Sequence, residues 1–239
     1  MIRIGCAGWS LPRAAHDRFP EGEASLARYS AVFSCAEINS SFHRPHRAST
    51  YERWAASVPP GFRFSVKLAK TITHGARLVK ATALLDDFLA PVRALGDAFG
   101  CLLVQLPPKL ELDAAVAKRF FAALEKRGVP LVALEPRNAS WFTPAADALL
   151  AERGIARVAA DPSRVPGGDE PGGARGFAYY RLHGAPRMYY SAYDDAYLEA
   201  LARRIAGHGM PSWVVFDNTA GNAAVFNALD LREKLQRGA

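Results

Sequence analysis

The sequence predicts an α/β fold, a (β/α)8 barrel forming a single domain over residues 1–239, and three observations carry that expectation. Short runs rich in Val, Ile, Leu and Phe alternate with longer amphipathic segments, the pattern of βα units on a parallel sheet. Eight such runs can be counted. The chain has 239 residues, half of them apolar, which suits eight units around one core, and no linker divides it. An open doubly wound sheet is the competing arrangement. It calls for a glycine-rich phosphate turn after the first strand, and GCAGWSLPR (5–13) does not supply G-x-G-x-x-G.

In chain order the strands are expected near Arg3–Cys6, Ala36–Asn39, Arg63–Lys67, Cys101–Gln105, Leu131–Glu135, Arg157–Asp161, Tyr179–His183 and Trp213–Asp217. Between the second and third, STYE (49–52) offers a helix start in which Ser49 caps and Glu52 reaches back. Between the fifth and sixth, Thr143 precedes Pro144, and proline at the first helical position loses nothing because its missing N–H has no helical partner there. Gly154, after LLAER, suits the left-handed residue that stops such a helix. The exception follows the sixth strand. DPSRVPGGDEPGGARG (161–176) holds three prolines and five glycines, so a Gly/Pro-rich loop replaces the regular helix. A loop of that length is expected to be a lid over the barrel's C-terminal face or a disordered segment.

The strands share an ending. CAEINSSFHRP (35–45), RFSVK (63–67), VALEPR (132–137) and YYRLHG (179–184) each run from apolar residues into charge. Side chains alternate faces along a strand, so Glu37 and Asn39 point the same way, as do Ser65 and Lys67, Glu135 and Arg137, and Arg181 and His183. Closing the barrel gathers these groups at one mouth above a dry core, together with Gln105, Asp161, Asp217 and Asn218. Such a set either pairs internally, because a buried charge without a partner is costly, or faces a ligand.

Seven segments carry a family resemblance: GCAGWS, AEINSSFHRP, ERWAASVPPGFRFSVKLAKTITH, LVQLPPKL, LEPRNASWF, YYRLHG and VVFDNTAGNAAVFNALDL. Together they resemble the YecE-like proteins, domain-of-unknown-function family 72, from the first strand to the last helix. The resemblance implies a TIM barrel. It departs at two places: the family often has Tyr where this chain has His43, and Asn-Asn where it has Asp217 and Asn218, so each exchanges a neutral group for a titratable one.

Within the mouth, Lys67, Arg137 and Arg181 are the expected contacts to a small anionic ligand, since the guanidinium fork suits phosphate or carboxylate. Glu37, Asn39, Gln105 and Asn218 complete the expected substrate-binding set. Glu135, His183 and Asp217 are the catalytic candidates: histidine titrates near neutrality, and a carboxylate between apolar walls can have its pKa raised. Lys67 is also a candidate for Schiff-base chemistry, and His74 a loop alternative to His183. This is an enzyme reading, a hydrolase, lyase or isomerase working by acid and base groups. No cofactor is expected; a divalent metal on Glu135, Asp161, His183 and Asp217 is the variant considered, and the cations in the same mouth count against it. The loop aromatics Trp9, Phe42, Trp141, Phe142, Tyr189, Tyr190 and Tyr193 stack on a ligand or cover the barrel top.

Composition bounds the partners. Thirty basic against 23 acidic residues give +7, which favours anions without naming one. The competing reading is therefore a nucleic-acid-binding or phosphodiester-processing barrel, which calls for a continuous basic groove. Cys6, Cys35 and Cys101 lie in apolar strands without metal-ligand spacing and read as free thiols. No apolar stretch approaches a membrane span and the N-terminal residues lack a leader pattern, so the expected compartment is the cytoplasm.

Overall fold

The structure, a computed structural model, describes residues 1–22 and 24–237. Its strands are β1 (Ile2–Cys6), β2 (Cys35–Ile38), β3 (Arg63–Lys67), β4 (Phe99–Gln105), β5 (Val132–Glu135), β6 (Ala156–Arg157), β7 (Ala159–Asp161), β8 (Gly172–Gly173), β9 (Ala178–Leu182) and β10 (Ser212–Phe216). The α-helices are α1 (Ser25–Ser30), α2 (Ala48–Ala56), α3 (Thr82–Val92), α4 (Ala114–Glu125), α5 (Pro144–Glu152), α6 (Asp195–His208) and α7 (Ala223–Arg237). Each predicted strand is found within two residues of its expected ends, the sixth being split at Val158 into β6 and β7.

The strands form two sheets, β1-β10-β9-β7 and β2-β3-β4-β5-β6-β8, parallel throughout except for the antiparallel pair β6–β8. The continuous ladder of the expected closed barrel is thus interrupted at two seams. At the first, β1 and β2 share one isolated bridge, Ala7 to Glu37. The Tyr29 hydroxyl sits between them, accepting from Cys6 N (2.6 Å) and donating to Cys35 O (3.0 Å), and so takes the place of ladder bonds. Glycine at position 5 permits the approach, since a Cβ there would fall 1.9 Å from Cys35 O. At the second seam the split strand changes partners: β6 pairs with β5, whereas β7 pairs with β9.

Side-chain parity sorts the core into two parts. Cys35, Cys101, Leu103, Ala133, Val158, Tyr179, Trp213 and Val215, drawn from both sheets, pack against one another inside. The alternate residues, among them Ile38, Phe64, Val66, Leu102, Val104, Leu134, Tyr180 and Phe216, pack with apolar residues of the helices. The thiols of Cys6, Cys35 and Cys101 are free and buried as expected, and burial pushes all three upward, Cys6 to about 12.

Helix starts show where local chemistry was legible. Thr143 caps α5 by accepting from Ala146 N, Pro144 is its first residue, and Gly154 follows it with φ of 66°. Asp113 and Asp194 cap α4 and α6 in the same way. Ser49 does not: α2 begins at Ala48, Arg47 occupies the cap position without a side-chain bond, and Ser49 lies inside the first turn.

The 161–176 segment is tied back to the sheet at its far end, and its first residues, Pro162 to Val165, lie beside Glu135, Arg137 and His183 at the strand ends. It leaves the end of β7 and returns to pair β8 against β6. The Arg157 side chain anchors it, donating to Gly167 O (3.3 Å), Glu170 O (3.4 Å) and Asp147 Oδ1 (2.8 Å), with its guanidinium 4.7 Å from the Phe142 ring centre. Gly172 faces the same guanidinium so closely that a Cβ would fall 2.2 Å from Arg157 Nη2, and Gly173 has φ of 68° with a Cβ there falling 2.5 Å from Ile155 O. No helix among the described residues is long and apolar enough to cross a membrane.

Candidate active site at the strand ends

Arg181, on β9, is fully buried and forms the hub of the polar mouth. Its Nε and Nη2 donate to Glu37 Oε2 (2.9 Å) and Oε1 (2.6 Å), its Nη1 to Glu135 Oε2 (2.8 Å), and Nη2 also to Asp217 Oδ2 (2.9 Å). Burial alone would lower its pKa, but the carboxylates of Glu37, Asp217 and Glu135 outweigh it and hold the group well above its ordinary value. Every guanidinium nitrogen is engaged. Arg181 is therefore not presented to a ligand, contrary to the expectation from sequence, and acts instead as counter-ion to three acids.

Two of those acids, Glu135 and Asp217, are held toward the anionic form. Burial pushes Glu135 up, but Arg181, His183 and Arg137 together hold it well below the usual carboxylate range. The expected upward shift is thus reversed, because the walls around Glu135 are cationic rather than apolar. Asp217 is lowered for the same reason, with Arg181 and His183 overcoming its burial. Its Oδ2 is shared between Arg181 Nη2 and His183 Nδ1, the latter at 3.1 Å, so it orients the imidazole.

His183 follows β9 directly and is buried. Desolvation pulls its pKa down, yet the hydrogen bond to Asp217 and the Glu135 carboxylate raise it above 6.5 overall. Its Nε2 lies 3.4 Å from Glu135 Oε1 but makes no hydrogen bond, leaving a buried ring nitrogen unsatisfied. The edge of Tyr189 packs against the ring, with centroids 5.6 Å apart.

Lys67, at the end of β3, differs from the other cations. It is 6% exposed, yet among the described residues no carboxylate oxygen lies within 4 Å of Nζ. Its one close partner is the Phe42 ring, whose centre is 4.5 Å away. Burial, then Arg181, depress its pKa to about 8, against the upward pull of Glu37, Glu135 and Asp217. Arg137 is a quarter exposed and donates to Glu135 Oε1 through Nε (3.2 Å) and Nη2 (3.0 Å). His74 lies near both cations, and burial together with Lys67 and Arg137 lowers its pKa.

The remaining expected residues divide. Asn218 ties the turn after β10 through Nδ2, which donates to Ser191 O and Asn227 Oδ1, while its Oδ1 is buried without a partner. Asp161 is held by the Tyr193 hydroxyl at 2.8 Å, which also accepts from Gly184 N. Among the described residues no three of His, Cys, Asp and Glu gather as a metal-holding group. Gln105 is buried at the end of β4, and Asn39 keeps an unpartnered Oδ1 in the turn after β2. Trp141 covers core rather than site, with Nε1 bonded to Leu110 O. Sequence reasoning missed Tyr179, whose hydroxyl donates to Ser65 Oγ (2.8 Å) and Glu37 Oε2 (3.2 Å). Its position two residues before Arg181 was the available signal, since it shares that inward face.

A recess of about 30 Å³ opens between Glu135, Arg137, Ser163, Val165, His183 and Met188. It has room for a group about the size of one water molecule.

Comparison with known proteins places the chain. Its residues 3–239 match the sequence profile of the proteins of unknown function DUF72. It is 26% identical over 150 residues to the UPF0759 protein YunF of Bacillus subtilis, a match covering 60% of this chain and 53% of YunF, so the chain spans about half the length of that curated relative. Two solved structures share the fold. A DUF72 family protein of Enterococcus faecalis superposes with a TM-score of 0.76 at 20% identity, covering 99% of this chain and 96% of that one. A DUF72 family protein of Thermotoga maritima gives 0.72 at 21% identity, covering 99% of each. The chain belongs to the DUF72 family.

Proposed function

We infer that the mouth receives the anionic end of a small molecule, a carboxylate or phosphate, and is the centre of an acid–base enzyme. The observation that carries this reading is Lys67: a buried cation at the strand ends that no carboxylate pairs, beside a network in which every other buried charge has a partner. Arg137, partly exposed, is the second contact, and His183, which lines the recess with Arg137, is the proton donor. Glu135 and Asp217 serve as ionised partners that favour the charged form of His183. The two sheets act as one (β/α)8 barrel whose seams side chains close, and free thiols fit a cytoplasmic setting.

The test is a thermal-shift screen of small carboxylates and phosphate esters against the wild type and the Lys67→Met/Arg137→Gln variant. A ligand-induced rise in melting temperature that the variant loses supports the reading, because binding to the native state alone stabilises it. A rise of equal size in both, or a salt-sensitive rise with short oligonucleotides only, would move the function elsewhere.

A further inference from the structure

The opposite end of the strands carries a larger concavity. A cavity of about 760 Å³ lies at the N-terminal ends of β1, β3, β4 and β10, with Arg3, Arg63, Arg93, Asp97, Phe99 and Trp213 in its wall. Each of the three arginines is tied by one terminal guanidinium nitrogen to a main-chain carbonyl. Arg3 Nη1 donates to Gly61 O (2.7 Å), Arg63 Nη1 to Phe62 O (2.9 Å), and Arg93 Nη2 to Arg127 O (3.1 Å). Arg3 is further held over Trp213, its guanidinium carbon 5.6 Å from the ring centre.

None of the three forms an ion pair among the described residues, although ten other basic side chains, from Arg18 to Arg237, do. Asp97 shares the cavity without reaching any of them at ion-pair distance. Arg3 and Arg63 stand close enough for their charges to oppose each other: burial together with neighbouring Arg63 lowers the Arg3 pKa despite the opposing pull of Cys35, while Arg93 stands in the same wall. Glycine at position 100 makes the arrangement fit, since a Cβ there would fall 2.8 Å from both Arg63 Cβ and the Trp213 ring. Carbonyl anchoring fixes where the guanidinium groups stand while leaving further N–H groups on each for another acceptor. That is the preorganisation an oxyanion site requires.

We propose that this cavity is a second anion site, distinct from the strand-end mouth, that takes a small polyphosphate or phosphorylated molecule. The cavity is wide enough for more than one phosphate, and three arginines supply the charge that a diphosphate group matches.

Inorganic pyrophosphate is the probe, titrated calorimetrically at low ionic strength into the full chain. Arg63→Gln and Arg93→Gln are the variants of choice, because Arg3 also links the 34 and 61 turns and its loss risks the fold. Each is expected to weaken pyrophosphate about tenfold, as loss of a charge-assisted contact does. The unliganded melting temperature of both arginine variants should stay near wild type. Wild-type affinity in both arginine variants, or loss confined to the Lys67→Met/Arg137→Gln variant, would overturn the proposal. So would absence of binding at millimolar pyrophosphate. Failure here leaves the mouth reading standing, and the reverse also holds, because the variants do not overlap.

Discussion

Arg181 and Glu37 face each other from different sheets and form a two-pronged ion pair, 2.6 and 2.9 Å long, with no exposed surface on either side chain. The pair joins the two sheets across the interior, from β2 to β9. Removing one member of such a pair strands the other in a low-dielectric site.

Arg181→Met is therefore expected to cost about 3–5 kcal/mol, since it leaves Glu37, Glu135 and Asp217 without their common counter-ion. Arg181→Lys should recover only a minor part, because one ammonium cannot fork to three carboxylates. Urea unfolding midpoints measure both. A loss under about 1 kcal/mol would mean the network contributes little to the fold.

Lys67→Met should do the opposite. The amine titrates near 8 in the folded state and at 10.5 when unconstrained, so folding below pH 8 carries the full penalty of holding the charge. Between those values the unfolded chain binds more protons, and wild-type stability rises with pH. The variant is expected to be more stable than wild type by about 1–3 kcal/mol at pH 7, the gap closing toward pH 10.5. Denaturation across that pH range reads it directly. Equal stabilities at every pH would show that Lys67 is not burdened by its burial.

His183 offers a second titration with the reverse sign. Its folded pKa lies above 6.5, so its contribution to stability is complete below 6.5 and fades as pH rises through the folded value. Asp217→Asn should bring the imidazole midpoint down, because the hydrogen bond to Asp217 is its largest upward cause. Imidazole NMR signals followed from pH 5 to 9 decide the matter, and an unchanged midpoint would remove Asp217 from the role of positioning residue.

Arg157→Gln should loosen the crossover without unfolding the rest. The side chain holds Gly167 O, Glu170 O and Asp147 at once, and β8 adds only a two-residue pairing. Hydrogen exchange and limited proteolysis across 163–173 are expected to accelerate several-fold, with the mouth network unaffected. Protection equal to wild type would mean the backbone pairing alone suffices.

Much of this was written in local pattern. The inward parity of Glu37, Lys67, Glu135 and Arg181 followed from strand alternation alone, and Thr143, Pro144 and Gly154 announced α5. What alternation cannot give is who pairs with whom. Arg181 and Lys67 look alike in sequence, yet one sits among three acids and the other against Phe42. The sign of the Glu135 shift depended on that same three-dimensional neighbourhood. Asn218 and Asp161 were lost to Asn227, Ser191 and Tyr193, side chains and carbonyls of loops whose course no periodicity encodes. The seam at β1–β2 was hidden for a similar reason, because it turns on one tyrosine hydroxyl from α1.

The most direct test is the titration of Lys67 itself, followed by NMR of lysine side chains labelled next to Nζ, with and without inorganic phosphate. A midpoint near 8 that moves upward when phosphate is added is the expected result, because an anion in the mouth supplies the partner the protein withholds. A midpoint at or above 10.5, indifferent to phosphate, would show that Lys67 is already compensated and that the mouth is a closed network rather than a binding site.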